Sequence, residues 1–275
     1  MPELPETETI ARDLDRAIAG QSIVDVVATR PDVLREVTAA ELRTRVIGQT
    51  ILRVWRRAKL VVIDLSSGDR LVVQPRFTGA LLLDKGDLAA TERRYSTVAF
   101  TLAGGHLLHY RDVRRLGTVA VMSPVRFARY TAAIGPEPLD PAFTAANFSD
   151  VLRGSRQAVK KVLMDQRQMA GVGNIYANES LWQAGIDPSR SARRVAPDQA
   201  AALRAALVAV LREAIAARGT SFRDYRDANG ERGTFAARLN AYGRAGLPCR
   251  RCGARLIGTH AVDGRATVFC ARCQR

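Results

Sequence analysis

Two pairs of cysteines near the end of the chain constrain its fold more than any other feature. Two residues lie between Cys249 and Cys252 and two between Cys270 and Cys273, and residues 253–269 separate the pairs. Four thiolates at this spacing make a tetrahedral Zn²⁺ site, typical of a zinc ribbon or β-hairpin finger. Four protein ligands leave no open position. The sequence therefore predicts one structural zinc ion and a separate module over residues 246–275.

The charge of the chain indicates a polyanionic partner. The 275 residues include 42 Lys and Arg against 27 Asp and Glu, a net charge of +15 at pH 7. Nucleic acid is the commonest partner of such a basic chain. We see neither a signal-peptide pattern nor an apolar run long enough to span a bilayer, so we expect no membrane association. A cytoplasmic, nucleoid-associated bacterial protein is expected, and its cysteines should not form disulfides.

The first half of the chain has the pattern of an all-β domain behind one helix. Residues 7–19 place Ile10, Leu14 and Ile18 on one helical stripe. Short β-like runs with turns between them follow and predict a β-sandwich or barrel-like domain. These runs are Ile23–Val27, Ile51–Trp55, Leu60–Leu65, Leu71–Gln74, Ala80–Leu83, Val98–Leu102, Leu107–Tyr110 and Thr118–Met122.

A change of pattern at residues 135–138 indicates a linker to a helical domain. Helices are predicted over 141–152, 157–164, 174–184 and 198–217, and the glycine-bearing segment 219–234 has the composition of a mobile loop. The predicted architecture is α+β and multidomain. It comprises a β-sandwich domain over 1–134, a helical domain over 139–245 and a four-cysteine β-hairpin zinc finger over 246–275.

The N-terminal stretch Met1-Pro-Glu-Leu-Pro-Glu6 admits two interpretations. A small residue behind an initiator methionine usually permits its removal, which would leave Pro2 with a free secondary α-amine. Amines of this class form Schiff bases with carbonyl carbons such as a sugar C1′, and Glu3 could transfer protons. Alternatively, Pro2 and Pro5 simply occupy the first turn of a helix, where proline is favoured.

A glycine-rich turn precedes the predicted helix at 174–184. In Gly171-Val-Gly-Asn174, the glycines permit close backbone approach and Asn174 is expected as the N-cap. Free amides at such a helix start bind phosphate. The alternative is an ordinary capped helix start.

Taken in order, these and further motifs resemble the bacterial formamidopyrimidine-DNA glycosylases over nearly the whole chain. The motifs are PELPE at the start, RRAKLVVIDL at 56–65, YRDVRRLG at 110–117, KKVLMD at 160–165, GVGNIYANESL at 171–181, AYGRAGLPC at 241–249 and CRRC…GRATVFCARC at 249–273. The resemblance implies a bifunctional glycosylase and abasic-site lyase that excises oxidised purines (8-oxoguanine, formamidopyrimidine) and cleaves the strand by β,δ-elimination. It also implies a helix–two-turn–helix in the helical domain and double-stranded DNA with oxidised bases or abasic sites as partner. We expect the protein to be a monomer.

The resemblance assigns catalytic roles to four residues and a supporting role in the active site to a fifth. Pro2 matches the nucleophile that attacks C1′, and Glu3 matches the catalytic acid/base. Glu6 matches a supporting carboxylate. Lys59 matches the lysine that acts at the phosphate and in β-elimination, and Arg265 matches the finger arginine that contacts phosphate and assists δ-elimination.

The resemblance also implies DNA contacts. Asn174 matches the phosphate ligand of the helix–two-turn–helix, and Tyr242 matches a further backbone contact. Lys160 matches a lysine facing the lesion pocket. Arg114 matches the arginine inserted opposite the extruded nucleotide.

The sequence departs from the family pattern among the inserted residues. Phe77 replaces a methionine, Leu116 replaces a phenylalanine, and Gln74 replaces a phosphate-binding histidine. Phe77 and Leu116 remain apolar and can still fill the gap in the duplex. These departures bear on the opposite-base preference and on the lesion spectrum.

Two other functions are compatible with the motifs. One is the sister enzyme endonuclease VIII, which excises oxidised pyrimidines. Its N-terminus generally has glycine where this chain has Leu4, which favours the purine enzyme. The other is a DNA-binding protein that has the zinc finger and lacks catalysis, which the joint presence of Pro2, Glu3, Lys59 and Arg265 disfavours.

Overall fold

The computed structural model describes residues 2–222 and 224–275, so the predicted removal of Met1 concerns a residue outside the described range. The chain divides into two compact units. The first contains the residues up to 133 together with 217–236, and the second contains 134–216 together with 237–275. The loop expected within the helical domain is thus grouped with the N-terminal unit. No helix in the described part of the chain has the length and apolar character needed to cross a membrane.

The N-terminal unit is built on two antiparallel sheets, each with four strands within the described residues. One has the order β1-β6-β7-β5 and the other β2-β3-β4-β8. The strands are β1 Ile23–Ala28, β2 Ile51–Arg57, β3 Leu60–Leu65, β4 Arg70–Gln74, β5 Gly79–Asp84, β6 Ser96–Leu102, β7 Leu107–Asp112 and β8 Thr118–Met122. Every predicted strand is confirmed, with bounds that differ by a few residues at most.

The two sheets and the leading helix share one hydrophobic core. Ile63 from one sheet and Leu81 from the other belong to the same buried cluster, together with Phe100. The stripe of α1 that includes Ile10 and Leu14 also belongs to this cluster. Burial of apolar surface from both sheets stabilises the sandwich that the alternating pattern predicted.

The helices of this unit are α1 Leu4–Ile18, α2 Ala39–Val46, α3 Ala90–Arg93 and α4 Pro124–Thr131. The predicted start of α1 near Thr7 is wrong, because the helix begins at Leu4. Pro5 fits the first turn, where its missing N–H costs no helical hydrogen bond. The Thr38 hydroxyl accepts from the Glu41 N–H at 3.2 Å and caps α2.

The second unit is helical, with a two-stranded hairpin in its C-terminal segment. Its elements are α5 Ala145–Arg153, α6 Val159–Met164, α7 Asn174–Ala184, α8 Pro197–Ala216, β9 Ile257–Thr259 and β10 Thr267–Phe269. Leu203, Leu207 and Leu211 of α8 are fully buried. Near the hairpin, Cys249, Cys270 and Val268 pack against Trp182 of α7 in a separate small core.

Candidate active site and nucleic-acid interface

Three of the predicted active-site residues lie together at the start of α1. Pro2, Glu3 and Glu6 are all buried, with Glu3 only 2% and Glu6 only 1% exposed. The Glu3 N–H donates to Glu6 Oε2 at 2.8 Å and thereby satisfies an amide at the helix start. The positive end of the helix dipole favours carboxylates at this position. The first turn therefore holds both carboxylates next to Pro2 in the chain.

Glu6 also binds the loop that follows α8. Its Oε1 accepts the Thr220 N–H at 2.7 Å, and the Tyr225 hydroxyl donates to the Glu6 carbonyl at 3.4 Å. Gly219 adopts φ +84°, and a Cβ there would lie 3.0 Å from both the Glu6 side chain and the Tyr225 ring. Burial, together with the charge of Glu6, raises the pKa of Tyr225 well above its ordinary value, so its hydroxyl stays a donor.

An arginine connects the same loop to the body of α1. Arg218 pairs with Asp13 of α1 at 2.5 Å and also with Asp227 farther along the loop. Asp227 Oδ1 in turn accepts the N–H groups of Asn229 and Glu231, each at 2.9 Å. The predicted loop 219–234 is therefore bound to α1 at two points, one at Glu6 and the other through Arg218.

The turn that carries Lys59 lies against the first turn of α1. Lys59 lies between β2 and β3, next to Ala58, whose φ is +51°. The Thr7 hydroxyl donates to the Ala58 carbonyl at 3.4 Å, and Arg56 Nη1 donates to the same carbonyl at 3.1 Å. Arg56 also pairs with Glu8 of α1 at 2.7 Å. Burial opposes ionisation of Glu8, but Arg56 and Arg12 lower its pKa overall, so this ion pair fixes the lysine turn to the helix.

The predicted inserted residues Phe77, Arg114 and Leu116, here called the wedge, project from two neighbouring loops. Phe77 is in the β4–β5 connection and is 47% exposed, and Leu116 is in the β7–β8 connection and is 39% exposed. The Arg114 guanidinium lies 5.4 Å from the centre of the Phe77 ring. A large aromatic side chain left half exposed beside an arginine can enter a nucleic-acid stack.

One buried carboxylate joins the two wedge loops. Asp112 is 2% exposed, and its Oδ1 accepts the Thr78 hydroxyl and the Arg114 N–H, the latter at 3.3 Å. Its Oδ2 accepts the Gly117 N–H at 2.8 Å and the Tyr110 hydroxyl at 3.2 Å. A Cβ on Gly117 would lie 1.9 Å from the Tyr110 hydroxyl oxygen, so only glycine fits there. The sequence analysis did not identify Asp112 as functional, although it belongs to the YRDVRRLG motif.

The glycine turn before α7 is present, but its capping differs from the prediction. Gly173 is the N-cap and Asn174 is the first helical residue, so the N-cap prediction for Asn174 is wrong. The Asn174 side-chain amide donates to the carbonyl of Ala266 in the C-terminal hairpin at 3.0 Å. Asn174 thus lies at a helix start suited to phosphate and contacts the segment that carries Arg265.

A second buried carboxylate fixes the segment of Tyr242. Glu179 of α7 accepts the backbone N–H groups of Asn240, Ala241 and Tyr242 at 2.8–2.9 Å. Burial raises the pKa of Glu179, while these amides oppose the rise. The predicted DNA contact Tyr242 is therefore held on α7 by a residue that the sequence analysis missed, although it lies within the motif at 171–181.

The four cysteines converge as the spacing predicted. Their sulfur atoms all lie within 4.8 Å of one another, a set suited to a tetrahedral metal ion. Burial opposes ionisation of Cys249, but the backbone amides of Arg251 and Cys252 lower its pKa to about 6. Hydrogen bonding to Cys252, followed by burial and Cys270, raises the pKa of Cys273 to about 12. Thiolates packed this closely require a cation, and the donor set fits a metal.

Lys160 and Arg265 differ in their exposure to solvent. The Lys160 side chain is fully buried, and its Nζ donates to the Thr267 hydroxyl at 2.7 Å and approaches Asp263 at 3.3 Å. Arg265 is exposed in the turn before β10. The predicted lesion-facing lysine is thus enclosed within its own unit and contacts the turn of the predicted phosphate-binding arginine.

Comparison with known proteins agrees with this arrangement. The family model described as the formamidopyrimidine-DNA glycosylase N-terminal domain matches residues 1–119, and that glycosylase's H2TH domain matches residues 134–226. The zinc finger found in FPG and IleRS matches residues 246–275.

Whole proteins of known name match over nearly the full length. A formamidopyrimidine-DNA glycosylase of Moorella thermoacetica is 43% identical, with 92% of each chain covered. One of Xanthomonas campestris is 42% identical, with 100% of each covered. The Lactococcus lactis Fpg bound to abasic-site DNA superposes with a TM-score of 0.91 at 32% identity, covering 99% of each chain. The MutM (Fpg) protein of Thermus thermophilus gives 0.87 at 36% identity, covering 99% of this chain and 98% of that one.

Matches that together span nearly the whole chain identify a DNA glycosylase of base excision repair. This chain belongs to the formamidopyrimidine-DNA glycosylase family.

Proposed function

We propose that the protein is a bifunctional DNA glycosylase and abasic-site lyase that excises oxidised purines through a Schiff base on Pro2. The observation that carries this proposal is the grouping at the start of α1. Glu3 and Glu6 are buried next to Pro2 in the chain, and the turn of Lys59 contacts the adjacent Thr7. A nucleophilic amine next to buried carboxylates and a second amine matches what imine chemistry at a sugar carbon requires.

The reaction begins at the free amine of Pro2. Its lone pair attacks C1′ as the C1′–N bond breaks, and the base departs with the electron pair of that bond and the N–H proton that Pro2 loses. Glu3 protonates the ring oxygen O4′ as the sugar opens and the C1′ iminium forms. Transfer of a C2′ proton to the carboxylate then left on Glu3 expels the 3′-phosphate in β-elimination. Loss of the C4′ proton to water expels the 5′-phosphate in δ-elimination, and water hydrolyses the remaining iminium, which restores the Pro2 amine. Lys59 binds phosphate and assists the first elimination, and Arg265 assists the second.

DNA binding requires the damaged nucleotide to leave the stack, which costs a few kcal/mol. The wedge fills the gap with Phe77 and Leu116, while Arg114 faces the unpaired base. Asn174 and Tyr242 bind backbone phosphates, assisted by the net charge of +15. Such binding should weaken steeply with salt.

The metal is proposed to be one Zn²⁺ held by Cys249, Cys252, Cys270 and Cys273. Zinc prefers four thiolates in a closed tetrahedral site, and its role here is to hold the finger in shape. The four residues orient the hairpin that carries Arg265. We further propose that the protein acts as a monomer in the bacterial cytoplasm, associated with the nucleoid.

The preferred substrates are 8-oxoguanine and formamidopyrimidine lesions. Support comes from the relatives named formamidopyrimidine-DNA glycosylase and from a Lactococcus lactis Fpg bound to DNA containing N7-benzyl-Fapy-dG, which is 33% identical with a TM-score of 0.91. Leu4, fully buried in α1, disfavours the pyrimidine-specific sister enzyme. Excision is to be compared on duplexes carrying 8-oxoguanine or thymine glycol, and preference for thymine glycol would replace the purine assignment.

Borohydride trapping tests the central step. Protein whose Pro2 terminus is confirmed by mass spectrometry is incubated with an 8-oxoguanine duplex and sodium borohydride. The iminium is reduced to a stable amine, so a covalent protein–DNA species should appear. Absence of this species would favour a DNA-binding protein without catalysis.

The role of Glu3 is tested with Glu3→Gln and a control, Glu36→Gln. Glu36 is an exposed carboxylate paired with Arg126 in the same unit. Glu3→Gln should lower the excision rate by at least about 100-fold, a typical loss for general acid–base catalysis. Affinity for a duplex with a tetrahydrofuran abasic analogue should stay within about threefold. Glu36→Gln should change neither quantity, and equal excision by both variants would contradict the assignment.

A further inference from the structure

Lys160 is a buried charge whose hydrogen bonds converge on one turn. Its side chain, on α6, is fully buried, and Nζ donates to Thr267 Oγ1 at 2.7 Å and to Asp263 Oδ1 and the Ala266 carbonyl, both at 3.3 Å. The Asp263 side chain is itself only 9% exposed. An ammonium has three donors, and these contacts can use all of them.

The same turn is held from α7. The Asn174 side-chain amide donates to the Ala266 carbonyl at 3.0 Å, and that of Asn178 approaches it at 3.5 Å. Asn178 Oδ1 accepts the Val268 N–H at 2.8 Å. Residues 263–267, here called the finger turn, are thus bound by side chains of two helices. Zinc ligation alone would fix the hairpin only at its cysteines.

Arg265 is in the middle of the finger turn, and its backbone is held by the residues that Lys160 binds. The Arg265 N–H donates to Asp263 Oδ1 at 3.1 Å, and the Arg265 carbonyl accepts the Thr267 hydroxyl at 3.3 Å. The Arg265 side chain is exposed. The position of its guanidinium therefore depends on a backbone that is fixed through Asp263 and Thr267.

A buried lysine is a poor choice for stability alone. Burying a charge is costly, and apolar replacement of a buried ion pair is often neutral or stabilising. A methionine would fill the same volume without a charge. The hydrogen bonds of Lys160 instead fix the conformation of one particular turn, which is the best-supported use of a buried charge.

We propose that Lys160 is a positioning residue that acts through Arg265. It holds Asp263, Thr267 and the Ala266 carbonyl so that the Arg265 guanidinium is presented to a DNA phosphate. This inference rests on the proposed function for the role of Arg265 in δ-elimination, but the phosphate contact can be measured without any chemistry. It gives Lys160 a role other than direct contact with the lesion.

The experiment is a double-mutant cycle between Lys160→Met and Arg265→Met, with Lys161→Met as control. Lys161 is the adjacent lysine on α6 and is exposed. Each variant is first checked for zinc content and thermal midpoint. Binding to a tetrahydrofuran duplex is then measured as a function of salt, and the products formed from an abasic-site duplex are resolved into β- and δ-elimination fractions.

Lys160→Met and Arg265→Met should each reduce the salt slope by about one unit, the effect of losing one phosphate contact. Each should also lower the ratio of δ- to β-products by at least about tenfold, because small misplacements have effects of this size. Lys161→Met should leave the product ratio unchanged.

The decisive comparison is the double variant. If Lys160 acts through Arg265, Lys160→Met should have no further effect once Arg265 is replaced. A full additional effect in the Arg265→Met background would overturn the proposal, as would an unchanged salt slope and product ratio in Lys160→Met. If Lys160→Met does not fold, Asp263→Asn replaces it in the same cycle with the same criteria. If the parent protein forms no borohydride adduct, the proposed function fails, and the salt-slope cycle still decides the role of Lys160.

Discussion

Replacing Asp112 by asparagine should loosen the wedge without touching its exposed residues. In the structure the carboxylate accepts from Thr78 and Arg114 on one oxygen and from Gly117 and Tyr110 on the other. Asparagine has nearly the same shape. It keeps one acceptor and presents an NH2 group on the other side. The hydroxyl there can rotate to accept from the NH2 group but the backbone N–H cannot, so one hydrogen bond is lost whichever way the amide is oriented.

The expected cost follows from the number and kind of bonds. The lost hydrogen bond to a charged group contributes about 1.5–3 kcal/mol. The three that remain weaken because their partner is no longer charged, and removal of a buried charge offsets part of the loss. We therefore expect a destabilisation of about 2–4 kcal/mol. For a protein of this size that corresponds to a thermal midpoint lower by roughly 5–10 °C.

Asp32→Asn is the matched control. Asp32 pairs with Arg115 of the same wedge loop, but both side chains are 50% exposed. Exposed ion pairs contribute about 0–1 kcal/mol, so this variant should melt within roughly 3 °C of the parent protein.

The assay combines thermal denaturation with DNA binding by fluorescence anisotropy. For Asp112→Asn, the preference for a tetrahydrofuran duplex over an undamaged duplex should fall by about tenfold, equivalent to about 1.4 kcal/mol, because a loosened wedge fills the gap poorly. Non-specific affinity should be unchanged. If Asp112→Asn has the same thermal midpoint as Asp32→Asn and keeps its full preference for the tetrahydrofuran duplex, the wedge does not depend on Asp112.

Three other expectations concern the finger, the Tyr242 segment and pH. Cys252→Ser should lower the bound zinc from one per chain to none, as measured by elemental analysis. It should also weaken binding to an abasic duplex by at least about tenfold, as measured by anisotropy, because metal binding contributes to folding of the finger. Loss of DNA binding with zinc retained would contradict this link between the metal and DNA binding. Glu179→Gln should destabilise the protein by about 1–3 kcal/mol and weaken DNA binding, because the amides of residues 240–242 lose a charged acceptor; an unchanged melting midpoint would contradict this role. Burial lowers the pKa of His109, and Arg93 lowers it further, although the nearby Asp84 opposes the change. His109 therefore binds a proton more readily in the unfolded chain than in the folded one. Stability should therefore fall as pH drops below about 6.5, and His109→Gln should flatten the dependence of the thermal midpoint between about pH 7.5 and 5.5.

Local pattern was sufficient for much of the fold. Alternating apolar residues predicted every strand of the sandwich, and the spacing of the cysteines predicted their convergence. These features depend on neighbours in sequence, since strand periodicity and C-x2-C knuckles are local properties. The predicted start of α1 was wrong by three residues, because Pro5 is compatible with the first turn.

The contacts between distant segments were decided only by the tertiary structure. Asp112 and Thr78 are separated by 34 positions in sequence, and Lys160 and Thr267 by 107. No local pattern shows which donors a carboxylate or an ammonium will meet once it is buried. The four cysteines were evident from the sequence because their chemistry follows from residue type and spacing, whereas the roles of Pro2 and Glu3 are predictions that rest on the family resemblance. The roles of Asp112, Glu179 and Lys160 emerge only in the folded chain, because each depends on burial among partners that folding brings together.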